Sequence, residues 1–254
     1  MVVNKTYIIA EVGLEAMGQI KLAEQLIDAA KVAGADCIKF QLYSVDTAHK
    51  VDNGDGPLTK YRLDRPALQG LWNYSKGVGI DFLLSAFDMD SLKSCKDMGL
   101  TAVKIPSVCN ENVEMTRWAC SNFKTVLISL GMLDQDVIAA KIPVNIVRQA
   151  LLCTSVYPCP FDQVNLAAVH KYAGLSDHTI GWEVSVAAVA MGAKIMEKHL
   201  TLSRMSGGPD ACCALEPMEF ADMVYRIRNV EKAMGDGVKK IEEGERSLLW
   251  RKNI

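Results

Sequence analysis

Residues 173–199 read AGLSDHTIGWEVSVAAVAMGAKIMEKH. Two runs of strand length, 173–175 and 194–196, flank a helical stretch over 181–192, and each run gives way to polar residues that include a histidine, His178 and His199. Strands buried on both faces and joined by a crossover helix are what a parallel sheet requires, so the segment reads as one βαβ unit. The same pattern recurs outward from it. Runs at 7–10, 37–41, 82–85, 102–105, 126–129 and 150–153 bring the candidate strands to eight.

Helical patterns separate these runs. In the first, Ile20, Ala23, Ile27 and Ala30 form a stripe, Lys21, Glu24, Asp28 and Lys31 fall elsewhere, and Gly34 stands where a helix stops. The last long helix opens at Pro217, carries Phe220, Met223, Ile227, Val230 and Met234 on one face, and ends at Gly235 and Gly237. Segments 66–78, 88–98, 110–121, 133–148, 161–171 and 181–192 supply the others. No GxGxxG follows the first strand, which favours an α/β TIM (β/α)8 barrel over an open doubly wound sheet. Residues 1–235 form that barrel in this reading and 236–254 a charged tail; 42–65, with Asp52, Gly54, Asp55, Gly56 and Pro57, is a long loop suited to a lid.

Composition narrows the function. The chain has 254 residues, 50% of them hydrophobic and 23% charged, with a net charge of −2 and scattered basic residues, so no broad face attracts nucleic acid. Only four residues, 7–10, precede Glu11 in the first apolar run, too few for a signal peptide or a membrane span, and a cytoplasmic location is expected. Eight cysteines occur without a CxxC pair, which argues against a zinc site or a disulfide framework; they read as buried thiols without chemistry.

A TIM barrel works at the C-terminal ends of its strands. There the sequence places Glu11, Lys39, Gln41, Ser85, Lys104, Ser107, Ser129, Thr154, Ser155, Ser176, Asp177, His178, Glu197 and His199. Lys39 and Lys104 each follow apolar residues, and a buried ammonium must meet a ligand anion or a nearby carboxylate to keep its charge. Twenty-one residues separate His178 from His199, one helix-plus-strand unit, so the two imidazoles become neighbours suited to a divalent metal such as Mn²⁺, with Asp177, Glu197, Asp210 and Glu11 in reach. The turn at Gly207, Gly208 and Pro209 aims Asp210 toward the mouth; His49 and His170 read as surface residues.

These segments resemble the sialic acid (nonulosonate) synthases. The likeness runs through IIAEVG (8–13), GADCIKFQ (34–41), VKIPS (103–107), LISLGM (127–132), CTSVYPCP (153–160), GLSDHTIGWEVSVAAVAMGA (174–193), EKHLTLSR (197–204) and GPD (208–210). It implies a TIM-barrel transferase that condenses phosphoenolpyruvate with an open-chain N-acylated aldose, using Mn²⁺ or Mg²⁺, and releases phosphate. It also implies His178 and His199 as metal ligands, and Lys39, Lys104, Ser107, Ser129 and Ser176, with Ser85 and Ser155 nearby, as the phosphoenolpyruvate clamp. The resemblance further implies Glu11 and Asp210 as the acidic catalytic residues beside the sugar and the attacking water.

Several positions depart from the family pattern. EAMG (15–18) stands where the family reads NHNG, Leu152 replaces a histidine, PSVC (106–109) replaces a GSGE-like segment, and the C-terminal SAF (antifreeze-like) domain is not expected here. The reading therefore keeps the phosphoenolpyruvate half better than the sugar half. It leaves open a related condensing enzyme or aldolase with another aldehyde acceptor, or a catalytically silent ligand-binding barrel. A homo-oligomer or a separately encoded C-terminal module is the expected protein partner, with neither nucleic acid nor membrane.

Overall fold

In the computed structural model, which describes residues 5–142 and 149–253, eight parallel strands close into a barrel in chain order. They are β1 (Tyr7–Gly13), β2 (Cys37–Leu42), β3 (Asp81–Ala86), β4 (Ala102–Ile105), β5 (Thr125–Ser129), β6 (Gln149–Cys153), β7 (Gly174–Asp177) and β8 (Ile195–His199). Closure is between β1 and β8, and it sets Glu11 beside both Lys39 of β2 and His199 of β8. Successive side chains alternate across each strand. Outward-facing Ile8, Ala10, Ile38, Phe40, Leu84, Val103, Ile128 and Met196 are fully buried against the helices. Inward, Ile9, Cys37, Leu83, Leu127, Leu151 and Ile195 form an apolar layer that closes the middle of the barrel.

The helices are α1 (Ile20–Val32), α2 (Val45–Asp52), α3 (Pro57–Lys60), α4 (Arg65–Val78), α5 (Met89–Asp97), α6 (Val113–Asn122), α7 (Gln135–Lys141), α8 (Glu183–Ala190), α9 (Pro217–Ala233) and α10 (Glu243–Arg246). Ser44, Asp64, Asp88, Asn112 and Asp134 start five of them by accepting a hydrogen bond from an amide in the first turn. Pro217 opens α9, helped by a capping box of Glu216 and Glu219.

Several expectations are corrected. Segment 161–171 is two 3₁₀ turns, Phe161–Gln163 and Leu166–Lys171, because Pro160 precedes the first and Asn165, at φ +50°, breaks the path between them. Of 133–148, α7 accounts for the first part, and 143–148 lie outside the described residues. On α1 the buried face uses Leu26 rather than exposed Ile20. On α9, Val224 and Glu231 join the buried face while Met234 is exposed, since Glu231 is held by Arg228 and by the Thr6 amide. The 42–65 segment folds into α2 and α3, whose Ala48 and Leu58 pack with Leu14, Tyr43 and Phe87 over one side of the barrel mouth. Among the described residues no helix is long and apolar enough to cross a membrane.

Candidate functional site

The strand ends enclose a cavity of about 390 Å³. A larger one, about 640 Å³, opens at the opposite end of the barrel below the apolar layer. Convergent polar chemistry decides between them. The larger is lined mainly by apolar side chains with Asp81, Gln149 and Lys194 among them, whereas the smaller gathers two lysines, three carboxylates and two imidazoles.

Lys39 and Lys104, both buried, form its floor. Lys39 is ion-paired with Glu11 and lies 3.5 Å from Glu197 Oε2, and it donates to Ser85 Oγ at 3.0 Å. Lys104 pairs with Glu197 Oε1, which also accepts from Ser176 Oγ at 2.7 Å. Of the two partners the sequence left open for the lysines, the structure pairs both with carboxylates. Burial pushes the Glu197 carboxyl up, but Lys104 and then Lys39 outweigh it and hold the group well below the usual carboxylate range. Burial also pulls Lys39 down, and the charges of Glu11 and Glu197 more than reverse this. Lys104 ends below its ordinary value because burial dominates, with the Lys39 charge adding to it. Ser129 Oγ is buried without a hydrogen bond, and Ser107 Oγ accepts from the Gly131 amide at 3.2 Å. A Cβ at Gly131 would run into the hydroxyls of Ser107 and Ser155, so only glycine lets those two serines approach each other.

The imidazoles of His178 and His199 lie with ring centroids 5.4 Å apart, a spacing that two ligands at ~2.1 Å from one ion can span. His178 Nδ1 is 2.9 Å from the Thr154 carbonyl, which can only accept, so Nδ1 carries a proton and Nε2 faces elsewhere. Such a backbone bond is what orients a metal-bound histidine. Burial, then the charge of His178, holds His199 well below its ordinary value, and its Nδ1 makes no hydrogen bond. A neutral, buried, unpartnered ring nitrogen is a fit donor for a divalent cation. Among the described residues no group of three or more His, Cys, Asp or Glu forms a complete ligand set. The pair therefore suits an ion that takes further oxygens from water or substrate.

Asp210 Oδ2 lies 3.9 Å from His199 Nδ1. The turn before it brings Asp210 to the mouth, and its amide donates to Glu15 Oε1 at 3.0 Å. Gly208 presses on that same carboxylate, where a Cβ would collide with it. Gly13, at φ +55°, likewise leaves room for Asp210 Oδ2, 2.8 Å from where a Cβ would stand. Burial, with the charges of Glu11 and Glu15 beside it, raises the Asp210 carboxyl to about 6.

All eleven residues expected at the site, Glu11, Lys39, Ser85, Lys104, Ser107, Ser129, Ser155, Ser176, His178, His199 and Asp210, line this one cavity. Asp177 does not: it points outward, where Lys198 pairs with it at 3.2 Å. His49 and His170 are exposed, as expected. Two contributors, Tyr157 and Cys153, go beyond the sequence reading, and a third, Glu197, which that reading set within reach of the metal, takes a different part. Glu197 is the shared partner of both lysines. Tyr157 stacks over His178 at 4.1 Å between ring centroids and meets His199 edge-on at 5.8 Å. Cys153 lines the cavity with Sγ 3.9 Å from His178 Nδ1. Burial would raise its thiol, but the hydrogen bond and charge of His178 bring it down to about 7, and this partner holds His178 above its own ordinary value despite burial.

Comparison with known proteins places the chain by family and by fold. The sequence matches the NeuB family over residues 26–239. An N,N'-diacetyllegionaminic acid synthase of Campylobacter jejuni subsp. jejuni serotype O:2 is 34% identical, the match covering 99% of this chain and 86% of the relative. The N-acetylneuraminate-9-phosphate synthase of Homo sapiens is 30% identical over 92% of this chain and 73% of its own. Among solved structures, a sialic acid synthetase of Leptospira borgpetersenii serovar Hardjo-bovis, crystallised with citrate, superposes with a TM-score of 0.88 at 28% identity, covering 99% of this chain and 92% of that one.

Proposed function

The chain belongs to the NeuB family, and from that membership we propose that it condenses phosphoenolpyruvate with an open-chain N-acyl aldose to give a nonulosonic acid and phosphate. Relatives that are synthases of nonulosonic acids support a phosphoenolpyruvate-dependent condensing enzyme in general; the acceptor and the residue roles are our reading. The observation that carries it is the pair of buried lysines tied to one glutamate on the cavity floor, opposite two imidazoles.

Phosphoenolpyruvate brings a phosphate and a carboxylate, and Lys39 and Lys104 bind them with the hydroxyls of Ser85, Ser107, Ser129, Ser155 and Ser176. Charge-assisted hydrogen bonds of this kind replace the carboxylate partners of the free enzyme and fix the enol for attack. The C3 carbon forms the new bond to the aldehyde carbon as the aldehyde π bond opens and its oxygen takes up a proton; water adds to C2, and the C–O bond to phosphate breaks as the C2 hydroxyl gives its proton to the departing phosphate and becomes the ketone. Glu11 or Asp210 takes up the water's proton. His178 and His199 would hold a divalent ion, Mn²⁺ or Mg²⁺, which when bound polarises the aldehyde oxygen. Tyr157, stacked on His178, keeps that ring in place.

Phosphate release from phosphoenolpyruvate, measured with Mn²⁺ over a panel of aldoses and with His199→Ala as control, tests the reading. Release that requires both an aldose and His199 is expected. Absence of release with every aldose defeats the proposal; equal turnover by the variant removes His199 from it.

A further inference from the structure

The larger cavity, about 640 Å³ at the N-terminal end of the strands, stands apart from the condensation chemistry. Residues at the start of every strand contribute to its wall. The interior of such a barrel is ordinarily filled by layers of bulky side chains. Here Ala102 and Thr125, register partners on β4 and β5, and Ala173 before β7 occupy the lowest layer, and side chains so small leave it open. The apolar layer of Ile9, Leu83, Leu127, Leu151 and Ile195 separates it from the lysines and imidazoles at the other end.

Tyr7, Asp81, Thr125 and Gln149 line the cavity, and each stands two residues before a member of that layer on its own strand, so all four share its inward face. The Tyr7 hydroxyl donates to Asp81 Oδ2 at 2.7 Å. Burial, then Cys37 and Asp81 beside it, hold that hydroxyl well above its ordinary value, so it remains a donor. Asp81 is the one charged group of the four, and among the described residues it has no ion pair. Lys194, the other ionic residue lining the cavity, immediately precedes inward-facing Ile195 and is exposed at the rim. A carboxylate without a cation, flanked by a tyrosine ring and set over an apolar floor, attracts a positive head group and repels a negative one. The Thr125 hydroxyl and the Gln149 amide supply further acceptors. We infer that this cavity is a second binding site, for a small organic cation: an ammonium group seated on Asp81, carried by an apolar body that packs against Leu83, Leu127 and Ile195.

Calorimetric titration of the full chain with three probes that share one body and differ in head group tests this: 2-phenylethylamine, 2-phenylethanol and phenylacetate. The amine is expected to bind roughly tenfold more tightly than the alcohol, and phenylacetate more weakly than both. Asp81→Asn, at an exposed position that opens β3, is expected to keep the fold and to bring the amine down to the level of the alcohol. Excess phosphoenolpyruvate is expected to leave the amine in place, since it is drawn to the opposite end of the barrel. Equal binding of amine and alcohol, amine binding that Asp81→Asn does not weaken, displacement by phosphoenolpyruvate, or no binding of any probe would each overturn the inference, and none of these outcomes touches the condensation reading.

Discussion

Strands β7 and β8 carry two ion-paired clusters that face opposite ways. Outside the barrel, Asp177 and Lys198 are both fully buried and 3.2 Å apart. Asp177 accepts further from the Thr179 amide at 2.9 Å, the Thr179 hydroxyl at 2.7 Å and the Ser185 hydroxyl at 2.6 Å, and Lys198 also donates to the Thr179 carbonyl. Inside, one residue away on each strand, Ser176 and Glu197 join Lys39 and Lys104, but there Ser129 Oγ and His199 Nδ1 have no hydrogen-bond partner. Burial is nearly equal in the two clusters, so burial does not separate them. Saturation does: a polar cluster with every group engaged holds a fold together, whereas one with idle groups keeps places for a ligand.

Substitutions that remove one charge from each cluster put this contrast at risk. Lys198→Met leaves Asp177 buried without its cation and is expected to lower stability by about 3–5 kcal/mol, seen as a fall in the urea midpoint at unchanged slope. A loss under ~1 kcal/mol would erase the distinction. Glu197→Gln is expected to cost less than half as much, since Lys104, already held below its ordinary value by burial, can release its proton. Its effect falls on turnover instead, with phosphate release expected to drop about a hundredfold or more.

Much of this contrast was legible in the residues themselves. Side chains two apart on a strand share a face, so Ser176 goes with His178 and Glu197 with His199, while Asp177 and Lys198 go outward together. Polar residues at the strand ends mark the loops of the site, but a period of two carried past the apolar run turns Asp177 outward to Lys198 and away from the cavity. The eight strands and the closed order followed from apolar runs of regular spacing. The 161–171 segment did not, since Leu166 and Val169 mimic a helical stripe although Asn165 interrupts the backbone. Glu15 was not legible at all as a partner of Asp210, for that contact spans 195 positions and depends on barrel closure.

Glu15 is intermediate between the two clusters: one carboxylate oxygen holds Asp210 and the other has no hydrogen bond. Its carboxyl is raised by burial, which outweighs the lowering influence of neighbouring Thr201 and of the Asp210 amide. Glu15→Ala is expected to raise the KM for the aldose roughly tenfold, the cost of one hydrogen bond to a positioning group, with the KM for phosphoenolpyruvate unmoved. Glu15→Gln keeps an acceptor oxygen for the Asp210 amide and is expected to restore most of the loss. A rise in both KM values would place Glu15 in general support of the barrel.

The smallest effect comes from a saturated carboxylate far less buried than either cluster. Asp88 accepts from the Ser44 amide at 2.9 Å, the Thr47 hydroxyl at 2.6 Å and the Ser91 amide at 2.7 Å, fastening the start of α2 to the start of α5. Burial pushes its carboxyl up, but these hydrogen bonds prevail and bring it down to about 2. A folded-state value below the unfolded one of ~3.9 means that the ionised group adds stability above that pH and loses it as pH falls through about 2. Because the group is partly exposed, solvent screening reduces its contribution to about 1 kcal/mol at neutral pH. Asp88→Asn is therefore expected to be less stable than the parent by that amount near pH 6 and equal to it near pH ~2, in urea unfolding at stepped pH. A difference that persists unchanged to the acid end would show that shape rather than charge fastens these helices, and would confine the saturation rule to the buried clusters.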